Sequence, residues 1–266
     1  MAKRTDPDRR SRGAHFLDPA GSAVARIVEA AALRPGEHVL DVGAGAGAIT
    51  RLLCTGVAPG GSVVAVEKAP ALAQSLEALA LPGLTVTTGD ALKVRLPARI
   101  DAVVANPPYR IIPGLLARLL EHGFGRAVLV MPRELAERLT AKPGDEAYGK
   151  LTVQMALRAK SKALFPLRRH DFHPPPDVAS HVVAVVPKAP DPTVDFALLD
   201  VVLDAAWSAR KRTLRHSLAP LAGDLGLPSA AITQVQEQLQ VGARTATQVS
   251  PWEYGQVSAA LRGLVP

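Results

Sequence analysis

From residue 20 to residue 140, short β-branched runs alternate with longer helical patterns, and few architectures accept that order. Strand candidates are His38–Val42, Ser62–Glu67, Leu84–Thr88, Asp101–Ala105 and Arg126–Met131. Helix-compatible stretches flank them at Ala20–Leu33, Ile49–Thr55, Ala69–Ala80, Gly114–Glu121 and Pro132–Thr140, where Pro132 suits a first helical turn. Such alternation predicts a parallel sheet covered by helices on both faces. The apolar runs Leu151–Leu157 and Ser180–Val186 follow without a comparable helix between them, so they are expected to pair as an antiparallel edge. Pro187–Pro192 holds three prolines in six residues and cannot continue a helix or a central strand. Beyond this linker the pattern is helical, at Val194–Trp207, Ala209–Leu218, Ser229–Gln240 and Pro251–Leu261. The expected organisation is an α/β domain at residues 1–189 and a small all-α domain at residues 190–266.

Composition narrows what the chain can do. Hydrophobic residues make up 48% and charged residues 21%, enough for a real core and too apolar for a disordered chain. No apolar run approaches the roughly 18 residues of a membrane span. Five basic residues in Met1–Arg12 precede no apolar stretch, so no secretory signal is expected. A single cysteine, Cys54, excludes an internal disulfide and a multi-cysteine zinc site; no metal is expected, and a reducing cytoplasm is. The net charge of +7 is uneven. Residues 1–189 hold 25 basic against 17 acidic side chains, whereas the remainder holds six against seven. Local clusters are Arg9, Arg10 and Arg12; Arg158, Lys160, Lys162, Arg168 and Arg169; and Arg210, Lys211, Arg212 and Arg215. They suit a polyanion, since each phosphate contact releases counterions.

Two motifs carry chemistry. After the first strand comes Asp41-Val42-Gly43-Ala44-Gly45-Ala46-Gly47, whose glycines allow a sharp turn and close approach of backbone to ligand. The second strand ends at Glu67, where a carboxylate can accept both ribose hydroxyls of a nucleoside, and Gly89-Asp90 after the third places Asp90 to receive an adenine amino group. The loop reads G-x-G-x-G rather than the dinucleotide G-x-G-x-x-G. Together these residues look like the S-adenosylmethionine pocket of class I methyltransferases.

The fourth strand runs into Asn106-Pro107-Pro108-Tyr109. The prolines fix the backbone leaving the sheet, the amide offers an acceptor and a donor, and the tyrosine offers a flat face. That set suits a planar base with an exocyclic amine. If Asn106 Oδ1 and the Pro107 carbonyl accept from its N–H groups, electron density builds on nitrogen and the lone pair turns towards a methyl sulfonium. Tyr109 would stack on the base and hold the attack geometry.

With these residues in hand, the chain resembles the KsgA/Erm family of rRNA adenine N6-methyltransferases almost end to end. Gly13-Ala14-His15-Phe16-Leu17 is similar to the family's G-Q-N-F-L, Asp41–Gly47 to E-I-G-P-G-x-G, Glu67-Lys68 to its strand-end acid, and Gly89-Asp90-Ala91-Leu92 to G-D-A-L. Asn106–Tyr109 matches N-x-P-Y, and Arg133–Leu139 resembles Q-E-x-A-x-R-L. Pro143-Gly144 through Tyr148-Gly149-Lys150-Leu151 is similar to P-G-x-x-x-Y-G-x-L, Phe172–Ser180 to F-x-P-x-P-x-V-x-S, and Arg210–Leu214 to R-R-K-x-L. The resemblance implies a Rossmann-like class I sheet with helices on both faces, a C-terminal helical domain, and methyl transfer from S-adenosylmethionine to rRNA adenine. It places the cofactor against His15, Leu17, Gly43, Gly45, Glu67, Lys68, Asp90, Ala91 and Asn106. Asn106, Pro107 and Tyr109 are the catalytic set; Tyr109 and Phe172 sandwich the adenine; Arg210, Lys211 and Arg212 contact RNA. The chain departs from the family at Ala14, His15, Asp18, Ala44 and the second proline of Asn-Pro-Pro-Tyr.

The Pro-Gly…Tyr-Gly-Lys-Leu segment favours dimethylation of small-subunit rRNA, on the ribosomal subunit or its precursor, by a monomer. The alternatives are an Erm-type large-subunit enzyme conferring macrolide-type resistance, a DNA adenine methyltransferase, and a non-catalytic nucleic-acid-binding relative in ribosome assembly or transcription.

Overall fold

The computed structural model describes residues 15–265. Its elements run β1 (Phe16–Leu17), α1 (Ser22–Ala30), β2 (His38–Val42), α2 (Ala48–Val57), β3 (Ser62–Glu67), α3 (Pro70–Glu77), β4 (Leu84–Thr88), β5 (Ala102–Ala105) and α4 (Ile112–His122). They continue β6 (Arg126–Pro132), α5 (Arg133–Thr140), α6 (Lys150–Arg158), β7 (Ala159–Leu167), β8 (Phe172–His173) and β9 (Ser180–Pro187). The C-terminal helices are α7 (Phe196–Ser208), α8 (Leu214–Leu218), α9 (Leu221–Asp224), α10 (Ser229–Gln238) and α11 (Pro251–Arg262).

Contacts divide the chain into two compact units: residues up to 136 with 163–187, and residues 137–162 with 188–266. The first carries a seven-stranded sheet in the order β4-β3-β2-β5-β6-β9-β7. Strands β2 to β6 pair in parallel and β9 runs antiparallel to β6. The five strands expected from the sequence are those found: Val-rich runs form the buried central strands β2, β3, β5 and β6, and the less buried β4 takes the edge. Val39, Val63, Ala102, Val104, Val128 and Val130 share a core with Val24 and Ile27 of α1 and Leu53 and Val57 of α2. Leu115, Leu116 and Leu119 of α4 are fully buried as well.

Chain order reverses between β2 and β5, which lie side by side with Leu40 opposite Val103. Helices leave neighbouring strands there in opposite directions and open a crevice at the strands' carboxyl ends. Both sequence motifs sit at that point.

Two expectations fail. Leu151–Leu157 is helical, within α6, and the antiparallel edge is formed instead by Ser180–Pro187 and Ala159–Leu167. A seven-residue apolar run fits either period, and here the start of a helix is closed by the Gly149 N–H donating to Thr152 Oγ1 at 3.0 Å. Pro132 ends β6, opposite Ser180, rather than opening α5. The proline tolerates this position because its missing N–H falls at the end of the ladder.

Arg126, first residue of β6, ties the α1–β2 connection to the sheet. Its guanidinium donates to the carbonyls of Ala31 (2.6 Å) and Ala32 (3.0 Å) and to both Glu37 oxygens (2.9 and 2.7 Å). That guanidinium holds the Glu37 carboxyl below its usual range. Arg126→Ala strands a largely buried carboxylate and two carbonyls, so we expect a loss of about 2–3 kcal/mol in urea denaturation.

The second unit is all-helical apart from the first residues of β7. Its core joins Tyr148 and Val153 to Leu199, Leu203, Leu214, Ile232 and Tyr254. Trp207 lies between two tyrosine rings, 6.2 Å from Tyr148 and 5.6 Å from Tyr254, and those hydroxyls donate to the Val249 and Ala246 carbonyls. Helix α7 is capped by Asp195, and α11 by Ser250 with Glu253 in a capping box. Among the described residues no helix is long and apolar enough to cross a membrane.

Candidate active site

The glycine loop is built by conformation and by space. Gly43 and Gly45 have φ of +72° and +57°. A Cβ on Gly43 would come 3.1 Å from Pro108 Cδ and 3.4 Å from Pro107 Cα; one on Gly45 would lie 2.9 Å from the Phe16 ring. Only glycine meets both demands. The first motif's backbone therefore rests directly on the second motif's, although they are more than 60 residues apart in sequence.

Glu67 closes the loop from the adjoining strand. Its carboxylate is 8% exposed, and it accepts the N–H of Gly45 (2.8 Å) and that of Ala69 (2.8 Å) on separate oxygens. Each oxygen keeps a free lone pair for a ligand hydroxyl. Asp90, at the end of β4, accepts from Lys68 Nζ (2.9 Å) and the Leu92 N–H (3.0 Å), and the Lys68 bond holds its carboxyl below the usual range. Ala91 beside it is buried.

Asn106 leaves β5 partly buried. Its Nδ2 donates to the His15 carbonyl at 2.7 Å. A carbonyl can only accept, so the amide orientation is assigned and Oδ1 is the remaining atom. Oδ1 is buried and has no partner. Unpartnered buried acceptors are rare, since each forfeits its hydration. Tyr109, two turns of proline later, is half-buried; its hydroxyl lies 2.5 Å from Ser180 Oγ and its ring centroid 5.9 Å from that of His15. Burial raises the phenol's pKa, so it stays neutral.

Beside these groups lies a cavity of about 590 Å³, lined by Leu17, Asp18, Asp41, Gly43, Ala44, Arg51, Asn106, His170 and His173 among others. Of the expected residues, Leu17, Gly43, Asn106 and Phe172 line it. Gly45 and Glu67 join it through the loop, whereas Lys68, Asp90 and Ala91 flank the β4 end. Phe172, which lines this cavity, is 3% exposed, stands opposite Leu17 in the β1–β8 pair and packs against the main core. Arg210, Lys211 and Arg212 belong to the second unit, on an exposed turn where a helix from Ala209 had been expected; the helix begins only at Leu214. Gly13, Ala14 and the arginines at 9, 10 and 12 lie outside the described residues.

Sequence reasoning passed over Asp41 as a site residue, although its place just before the glycines was a signal. It is 1% exposed and accepts from Thr50 Oγ1 at 2.7 Å. Burial, with Glu67 nearby, lifts its pKa to about 7 against the Thr50 bond. The folded pKa lies above the unfolded one, so the contribution of Asp41 to stability is most favourable below about pH 4 and declines as pH rises towards 7. Asp41→Asn removes the titration while keeping the Thr50 acceptor. We expect it to stabilise the protein more at pH 8 than at pH 4, by on the order of 2–4 kcal/mol. Equal shifts in thermal melts at the two pH values would refute this. Arg51, His170 and His173 carried no usable sequence signal.

A doubly wound sheet with a glycine cradle and a cavity at its switch point defines a Rossmann-like protein of the nucleotide-binding class. The sequence profile of the ribosomal RNA adenine dimethylase family matches residues 6–250. Relatives named "Probable ribosomal RNA small subunit methyltransferase A" occur in Methanopyrus kandleri (35% identical; 87% of this chain and 83% of the relative) and Pyrobaculum aerophilum (41%; 78% and 87%). "Ribosomal RNA small subunit methyltransferase A" of Myxococcus xanthus is 34% identical over 96% of this chain and 92% of the relative. The chain belongs to the ribosomal RNA adenine dimethylase family, and it is a methyltransferase enzyme. Among solved structures, a dimethyladenosine transferase from Plasmodium falciparum shares the fold at TM-score 0.85 and 24% identity, covering 94% of this chain and all but 1% of that one (99%). The 23S rRNA methyltransferase ErmE gives 0.71 at 25% identity, with 93% and 99% covered.

Proposed function

We propose that this protein dimethylates N6 of adenine in small-subunit rRNA, using S-adenosylmethionine bound in the crevice between β2 and β5. One observation carries the reading: the buried, unpartnered Oδ1 of Asn106, an acceptor on a residue that lines the cavity. An adenine N6–H donating to it fills the vacancy in the hydrogen-bond inventory. The donor supplies an electrophilic methyl on a sulfonium and leaves as a neutral thioether. Gly43 and Gly45 make room for it, Glu67 and Asp90 offer carboxylate oxygens to ribose and adenine, and Leu17 and Ala91 provide apolar walls. His15 presents its carbonyl to Asn106, and Lys68 orients Asp90. The Pro107 carbonyl is the second acceptor for the amine, and Tyr109 stacks on the base. A neutral phenol beside a neutral base is electrostatically undemanding, and the N6 proton departs to solvent after transfer.

The small subunit is the target because relatives of that name align over most of their length at 34–41% identity. The Erm reading rests on the weaker ErmE likeness. Methyl uptake into purified small and large subunits and their precursors, with the product mapped, tests the choice. Two methyls on small-subunit adenine are expected. Uptake into 23S rRNA alone would establish the Erm type, and no uptake together with no cofactor binding would establish a non-catalytic relative. The cytoplasm is the matching compartment.

RNA is gripped in part by Arg210, Lys211 and Arg212, which are exposed and form no ion pair among the described residues. Arg210→Gln with Arg212→Gln is expected to weaken RNA binding and flatten the slope of log affinity against log salt by at most about two. An unchanged slope assigns the triplet to solubility.

A further inference from the structure

Tyr109 is fixed at its backbone end by the prolines before it and by the Ile111 N–H donating to the Pro108 carbonyl at 3.0 Å. Those restraints leave χ1 and χ2 of the side chain free, and stacking depends on where the ring plane lies. The far end of the ring is held from another part of the sheet. Ser180, first residue of β9 and 1% exposed, places Oγ 2.5 Å from the Tyr109 hydroxyl. Ser180 is itself immobile: it pairs with Pro132 in the β6–β9 ladder, and its neighbour Ala179 accepts the Arg133 N–H at 2.8 Å. The ring is thus tied at both ends by elements 71 residues apart in sequence.

We infer that Ser180 is a positioning residue for methyl transfer, setting the ring plane of Tyr109 through the hydroxyl–hydroxyl bond. The inference rests on the reading of Tyr109 as the base-stacking residue. It explains a tyrosine rather than a phenylalanine at this position, since stacking alone uses only the ring. Ser180 is buried against the sheet, and its effect passes through the Tyr109 hydroxyl.

The test combines steady-state methylation of small subunits with NMR of enzyme carrying labelled tyrosine. Ser180→Ala is expected to lower kcat about tenfold, with KM within about threefold, equivalent to about 1.4 kcal/mol in the transition state. Ser180→Thr, which restores a hydroxyl, should recover most of that loss. Tyr109→Phe should match Ser180→Ala, and the double variant should be no worse than Tyr109→Phe, because both delete one bond. Without substrate, Ser180→Ala should speed flipping of the Tyr109 ring while leaving the Tyr148 and Tyr254 rings unchanged. Multiplying losses in the double variant, an unaltered kcat in Ser180→Ala, or an unaltered Tyr109 flip rate would overturn the inference. If Ser180→Ala does not fold, Ser180→Cys, slightly larger and with a much weaker donor, takes its place. An inactive parent enzyme would count against the proposed function, and the ring-flip measurement would still decide the role of Ser180.

Discussion

Asn106→Ala is expected to cut methyl transfer to small ribosomal subunits by about two to three orders of magnitude, the usual loss when one preorganised hydrogen-bond partner is deleted. Cofactor affinity should stay within a few-fold. The amide does two jobs at once: Nδ2 holds the His15 carbonyl at 2.7 Å, and Oδ1 waits unpartnered. Alanine removes the acceptor that localises the amine's lone pair and frees the segment preceding β1. Asn106→Asp separates the two roles. It keeps an oxygen at the acceptor position but sets a second one against the His15 carbonyl, an acceptor facing an acceptor. It is expected to be deeply impaired and also less stable. Single-turnover methylation and isothermal titration check both variants, and a fully active Asn106→Ala would refute the assigned chemistry.

Glu67→Ala should be the most damaging change to cofactor binding. Two N–H groups, the buried one of Gly45 and the part-buried one of Ala69, lose their acceptor, at about 1–3 kcal/mol each at most. Part of this is offset, because Glu67 raises the Asp41 pKa and its removal relieves a repulsion between buried carboxylates. We expect a net destabilisation of about 1–4 kcal/mol and at least a hundredfold loss of S-adenosylmethionine affinity, since charge-assisted bonds to the ribose vanish as well. Glu67→Gln does not rescue, because its NH₂ must face one of the two backbone N–H groups. Near-normal affinity in either variant would remove Glu67 from the cofactor site.

Much of the fold was legible because the relevant signals are local. Val-rich runs bounded by turns mark buried parallel strands, and Pro187–Pro192 marks the end of the sheet domain's last strand. The alternative periods of Leu151–Leu157 were not separable locally; the helical outcome depends on partners in the second unit, such as Leu199 and Leu203 in the shared core. For the same reason residues 137–162 group with the helical unit, although the linker is 25 residues further on. The burial of Phe172 was not legible, because a lone aromatic in a proline-rich stretch gives no hint that a two-residue strand pairs it with Leu17.

The Asn106–Tyr109 motif was readable as residue types in order; the state of its atoms was not. Sequence by itself determined the five parallel strands and the antiparallel strand from Ser180, where glycine and proline bend the chain, and, through nine ordered motifs, which family the chain joins. Tertiary structure alone decided that Asn106 spends its donor on His15 and keeps its acceptor, that one Glu67 oxygen braces the glycine loop while the other holds Ala69, and that Ser180 meets Tyr109. Backbone preference is set within a few residues of each position. Hydrogen-bond satisfaction and burial depend on which distant strand becomes the neighbour, and that emerges only when the whole sheet closes.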